Sequence, residues 1–223
     1  MNINFDNAKP ILFSGPMVRA ILAGKKTQTR RIVRYPRSWL TPYANGDADV
    51  AFRLFHAECV GSSFWNCGNP KTGERHWQCG DERLPQNYQV GDRLWVKETF
   101  ATNKGDVTAG KVHYRADDVI VERWKPSIFM PRWASRLTLE VVSVRVERLK
   151  CISERDAVAE GIEQIRAGVF QVIGNTSLPT CSDAALAYQY LWRSINGHGS
   201  WEANPWVWVV DFKQVSGDSK VAS

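Results

Sequence analysis

Eight consecutive residues, Gly24-Lys25-Lys26-Thr27-Gln28-Thr29-Arg30-Arg31, put two hydroxyls and four cations side by side. Such a run suits a ligand that is anionic or resembles a nucleobase, because cations attract the first and hydroxyls hydrogen-bond the second. A solvated surface run of charge is the plainer reading of the same letters.

What must position these groups is legible nearby. Ser14 offers a cap, Pro16 suits a first helical turn, Val18, Ile21 and Leu22 make one apolar face, and Gly24 supplies a stop. Lys26 then falls at the helix exit. From Thr27 the β-branched, breaker-free sequence favours an extended chain with Thr27, Thr29 and Arg31 on one face. In a regular strand Lys26 and Thr29 would face apart, so they converge only if Lys26 sits on the turn before the strand.

Further along, Arg93–Glu98, Lys111–Arg115, Leu137–Leu149 and Trp206–Lys213 read as strands. The third alternates through Leu137, Leu139 and Val141, then shifts phase to Val142, Val144 and Val146, which predicts a bulge near Val141. One helix should start at Ser153, with Asp156 completing a capping-box-like pair, Ile152 stapled against Ala157, and Gly161 as its end. Another should run from Ser182 or Asp183 to Asn196, with Leu186, Tyr190, Leu191 and Ile195 on one side and Gly197 as the stop. The fold class is α+β.

Residues 36–88 look like a loop-rich insertion within a single domain of residues 1–215, and residues 216–223 read as a frayed polar tail. Three of the ten tryptophans, Trp39, Trp65 and Trp77, lie in the insertion and argue for packing rather than disorder. It also holds Cys59, Cys67, His76 and Cys79, enough ligands for a tetrahedral zinc, although only His76 and Cys79 have the close spacing usual for a structural site. Ordinary buried thiols and a surface histidine are the alternative.

Composition narrows the classes. With 223 residues and 43% hydrophobic content the chain can bury one core, and a formal charge of +6 favours an anionic partner such as nucleic acid. No apolar run approaches the ~18 residues of a membrane span, and five irregularly spaced cysteines fit a reducing compartment, so a cytoplasmic location is expected.

Gly24, Lys26 and Arg31 in the pattern Gly-x-Lys-x-x-x-x-Arg after a short helix resemble the signature of the ASCH domains, relatives of the PUA fold. Gly91–Glu98, Met130–Arg136 and Leu191–Gly197 resemble, in the same order, phage and prophage members of that family. The resemblance covers about residues 9–35 and 88–213. It implies a PUA-like small β-barrel flanked by helices.

Most ASCH domains carry Glu where this chain has Thr29, and Thr there is similar to small ASCH proteins that hydrolyse acetylcytidine with a Lys, a Thr and a Glu. The resemblance thus implies Lys26, Thr29 and Glu160 as catalytic residues, with Glu154 and Glu163 as nearby alternatives to Glu160. It also implies substrate or nucleic-acid contacts from Lys25, Arg30, Arg31, Glu98, Arg132, Trp133 and Arg136. In such a scheme a lysine of lowered pKa takes the threonine proton, and a carboxylate orients the lysine or passes a proton to the leaving amine. An ion-paired carboxylate would raise the lysine pKa, so either Glu160 is protonated or desolvation dominates. No metal or organic cofactor is required.

The expected partner is a modified nucleoside or RNA, with DNA an alternative and no membrane association. The competing functions are a non-catalytic RNA- or DNA-binding module and an ASCH-type ribonuclease. The chain shows neither a paired-carboxylate metal site nor a two-histidine constellation in support of the latter. A role in phage assembly would need a large exposed apolar face.

Overall fold

The computed structural model describes residues 8–33, 65–68, 75–78, 88–102 and 111–215. The chain divides into two units, one of Met1–Ile32 and Tyr88–Ser223 and one of Val33–Asn87. The smaller unit contributes an antiparallel hairpin of β3 (Trp65–Gly68) and β4 (Arg75–Gln78), in which Cys67 lies opposite His76. Cys59 and Cys79 lie outside the described residues, as does the expected tail of residues 216–223.

The larger unit begins with β1 (Lys9–Leu12), α1 (Gly15–Leu22) and β2 (Gln28–Ile32). It continues through β5 (Arg93–Lys97), the short pair β6 (Phe100–Ala101) and β7 (His113–Tyr114), and the long β8 (Thr138–Arg148). Helix α2 (Glu154–Ala159), the hairpin β9 (Ile162–Arg166) and β10 (Val169–Val172), helix α3 (Ala184–Asn196) and β11 (Trp206–Gln214) complete it.

Five strands form one mixed sheet in the order β1-β5-β8-β11-β2, with β1 parallel to β5 and every other pair antiparallel. The fold is therefore α+β. Among the described residues no backbone ladder joins the edge strands β1 and β2, so no closed barrel forms there. A side chain spans the edges instead: Arg31 Nη2 donates to the Leu12 carbonyl at 2.9 Å.

Strand alternation sorts the sheet into two faces. On one, Ile11, Leu94, Val96, Leu139, Val141, Val210 and Phe212 are buried, and the Phe13 and Phe212 rings lie 6.0 Å apart. On the other, Val207 and Val209 pack against Ala157, Tyr188, Leu191 and Trp192 from the two helices that follow β8. The bulge expected near Val141 falls one residue on. Asp211 pairs with Ser143 and Phe212 with Val141, leaving Val142 unpaired and 49% exposed.

Local end signals act as expected. Asp183 Oδ1 accepts from the Leu186 N–H at the start of α3, and Ser153 Oγ accepts from the Asp156 N–H at the start of α2. Two apolar faces differ from expectation. Leu22 is exposed, whereas Ala20 is buried with Val18 and Ile21. In α3 the buried stripe is Ala184, Ala187, Tyr188, Leu191 and Trp192, while Tyr190 and Ile195 face out. The larger area of the Trp192 and Tyr188 rings outweighs that of Ile195 in setting the helix rotation. Of the expected strand Lys111–Arg115 only His113–Tyr114 is extended, and the β9–β10 hairpin had no counterpart in the sequence reading.

Candidate active site

Lys26 occupies the turn between α1 and β2, as convergence with Thr29 requires. Its backbone N–H donates to the Ala20 carbonyl, while the next N–H, that of Thr27, donates to Ala159 at the end of α2. These two bonds pin Lys26 between the helices, and its side chain is 1% exposed. Gly161 packs beside it. A Cβ there would lie 3.8 Å from the Lys26 Cβ and Cδ, and the φ of +105° already disfavours any other residue.

The ammonium uses all three of its protons. Nζ donates to the Gln28 carbonyl at 2.8 Å, the Glu160 carbonyl at 2.7 Å and Glu160 Oε2 at 2.7 Å. Burial pushes the Lys26 pKa below its ordinary 10.5; Glu160 pulls it up, and Arg31 and Arg30 push it further down. Desolvation therefore prevails over the ion pair.

Glu160 continues the network. Its Oε1 lies 3.5 Å from Arg30 Nη1 and accepts from the Tyr188 hydroxyl at 3.5 Å. Arg30, expected at a ligand, has a fully buried side chain that bonds Glu147 Oε1 at 2.6 Å and Gln28 Oε1 at 2.6 Å and pairs with Asp156 Oδ2 at 3.3 Å. Its Nε is buried without an acceptor among the described residues. Arg145 ties the far end, reaching Asp156 at 2.8 Å and Asp211 at 3.2 Å. Burial pushes the Asp156 carboxyl up, but hydrogen bonds from Gln28, Ser153 and Arg145, with the Arg145 charge, hold it well below the usual carboxylate range. Burial likewise pushes the Tyr188 hydroxyl well above its ordinary value, aided by Glu160, so it remains a proton donor.

Thr29 is buried opposite Val210, on the other face of β2 from Gln28 and Arg30. Its hydroxyl makes no hydrogen bond among the described residues. Arg31 shares that face, with its guanidinium 5.4 Å from the Phe13 ring centroid. Lys26 Nζ also reaches that ring, at 5.8 Å, so the lysine borders both faces. Lys25 turns outward to Glu163 at 2.8 Å, and Glu154 is exposed; Glu160 is thus the carboxylate that meets Lys26.

A small cleft with a cavity volume of about 30 Å³, partly open to solvent, has Lys26, Glu160 and Gly161 in its lining. Ser14, Pro16, Met17 and Ala20 line it from α1, Val172, Ile173 and Asn175 from β10 and the turn after it, and Leu191 from α3. Thr29, Glu98 and Trp133, which the resemblance implies as catalytic or contact residues, are not in this lining.

Glu98 belongs to a second nest. Arg136 grips both its oxygens, Nε to Oε1 at 2.9 Å and Nη2 to Oε2 at 3.1 Å, and also bonds Asp117 at 2.8 Å. The guanidinium stacks 4.0 Å from the Tyr114 ring centroid. Burial raises the Glu98 pKa, only partly offset by Arg136. Arg136 is committed here and does not flank a ligand beside Trp133. Arg132 sits 5.9 Å from the Trp95 ring centroid, and Trp133 is 60% exposed.

Sequence reasoning passed over Gln28, Glu147, Asp211 and Tyr188 as members of the site. Asp211 had a signal, being the one acidic residue in the otherwise apolar strand Trp206-Val-Trp-Val-Val-Asp-Phe212. Among the described residues no three His, Cys, Asp or Glu side chains gather as metal ligands, and no helix is long and apolar enough to cross a membrane. The chain matches no family model, no curated protein and no solved structure.

Proposed function

We propose that this chain is an ASCH-type, PUA-like protein that removes an acyl group from the exocyclic amine of a modified cytidine. The observation that carries the reading is the Lys26–Glu160 pair, buried at a cleft with the lysine held below its ordinary pKa. Four ordered sequence motifs support the family, and the Arg31 bridge between the sheet edges supports a barrel-like curl.

In this scheme Thr29 Oγ attacks the acyl carbon from the Phe13 side of the sheet, which Lys26 Nζ also borders, and Lys26 takes its proton. The lysine, held below its ordinary pKa by burial, first hands a proton to Glu160 Oε2 at 2.7 Å. The C–N bond then breaks, the leaving amine takes a proton from the pair, and water hydrolyses the threonine ester.

Chromatographic detection of cytidine released from acetylcytidine tests the reading. Lys26→Ala should lower release by ~10²–10⁴-fold, the usual worth of a positioned proton-transfer group, with the fold intact by circular dichroism. Thr29→Ala should lower it comparably. Undiminished release in both variants would refute the assignment.

A specific surface favours a second reading, a nucleic-acid reader. Residues 123–135 carry Arg123, Lys125 and Arg132 and no carboxylate. Buried Met130 and Ala134 anchor two 3-10 turns, Ser127–Phe129 and Arg132–Ala134, that display Ile128, Phe129 and Trp133 at 61%, 71% and 60% exposure. A reader should bind single-stranded oligonucleotide with steep salt dependence, lose affinity in Trp133→Ala and turn over nothing.

A further inference from the structure

We infer that Ser14 and Asn175 grip the substrate across the mouth of the Lys26–Glu160 cleft, an assignment that rests on reading this cleft as the hydrolase site. These two polar residues join the Lys26–Glu160 pair in its lining. Every proton of the lysine is committed, and the pair is charge-matched, so the floor has no spare charge for an anion.

The mouth is different. Ser14 is the N-cap residue of α1, yet its hydroxyl makes no capping bond, and the residue is exposed. Asn175 uses only Oδ1, which accepts from the Ser177 N–H at 3.2 Å; its Nδ2 has no partner among the described residues. A hydroxyl and an amide N–H₂ thus stand uncommitted over an apolar-walled cleft. That combination fits a neutral ligand held at the mouth by an amide or ring carbonyl, with the small cleft of about 30 Å³ taking no more than its acyl group.

The two groups are held in place without a ligand. The turn bearing Asn175 is tied by the Ile173 N–H to the Gly161 carbonyl at 3.0 Å and by the Asn175 N–H to Val172 at 3.1 Å. At Gly174, with φ +64°, a Cβ would come 3.4 Å from Pro16 Cβ, so the turn lies against the first turn of α1. Little ordering is left for a substrate to bring about.

The test is steady-state kinetics on acetylcytidine with Ser14→Ala and Asn175→Asp. The second keeps an acceptor for Ser177 while removing the donor. Each should raise KM about three- to ten-fold, the worth of one hydrogen bond, with kcat within about two-fold and an unchanged melting temperature. Ser14→Thr should restore KM. An unchanged KM in both variants, with wild-type turnover intact, overturns the inference and leaves the hydrolase reading standing. If the wild type binds acetylcytidine by calorimetry without releasing cytidine, the hydrolase reading alone fails, and the same variants are judged by Kd on the same scale. Neither binding nor release overturns both.

Discussion

Asp156 and Glu98 are carboxylates withdrawn from water in the same unit, yet their proton affinities move in opposite net directions. Asp156 meets Gln28, Ser153 and both Arg30 and Arg145, and ends well below the carboxylate range. Glu98, 1% exposed, has a single guanidinium on its side-chain oxygens and ends raised. Desolvation acts on both, so the number of donors and charges around each, together with the depth of burial, decides the sign. The Asp156 nest is a chain of charges that runs to Glu160 and Lys26 at a cleft, whereas the Glu98 nest closes on Arg136.

The largest contrast should come from removing each central cation. Arg30→Ala strips Glu147, Asp156 and Glu160 of a shared partner and should cost ~3–5 kcal/mol in urea unfolding at neutral pH. Arg136→Ala should cost less, ~1–3 kcal/mol, because Glu98, already inclined to hold a proton, neutralises itself. Equal costs would erase the distinction.

A finer contrast lies in pH. Asp156 has its pKa lowered on folding, so its contribution is present above about pH 4 and lost as pH falls through the folded value; Asp156→Asn should flatten the acid limb of stability. Glu98 is raised from 4.5, so its contribution declines as pH rises from there through the folded value, and Glu98→Gln should remove that decline. Unfolding free energies measured across the acid range would show slopes of opposite sign being removed. The smallest effect is reserved for the exposed Lys25–Glu163 pair, where Lys25→Ala should change stability by under ~1 kcal/mol.

What the sequence disclosed follows the range of the interactions. Helix starts at Ser153 and Asp183 and stops at Gly161 and Gly197 were legible because caps and stops act within a few residues, whereas Ser14 stands at the start of α1 without making the expected capping bond. The α+β class and the bulge followed from periodicity. Arg30 was misread as a ligand cation because its partner Glu147 lies 117 positions away, and nothing in a local basic run distinguishes a buried guanidinium from a solvated one. Lys26 and Glu160, 134 positions apart, were paired through motif resemblance; no spacing rule could have joined them.

Val142 has a further consequence. Were Val142 paired in a regular pleat, strict alternation along β8 would place Ser143, Arg145 and Glu147 on the same side as Leu139 and Val141, against the Phe13–Phe212 face. The extra residue resets the phase, and one strand serves as hydrocarbon wall over its first half and as electrostatic scaffold over its second. A single-codon deletion at this position would leave Val141 and Ser143 adjacent and on opposite faces, removing the bulge while keeping the phase, whereas the same deletion at Val144 would turn Arg145 and Glu147 toward the apolar core and Val146 out of it.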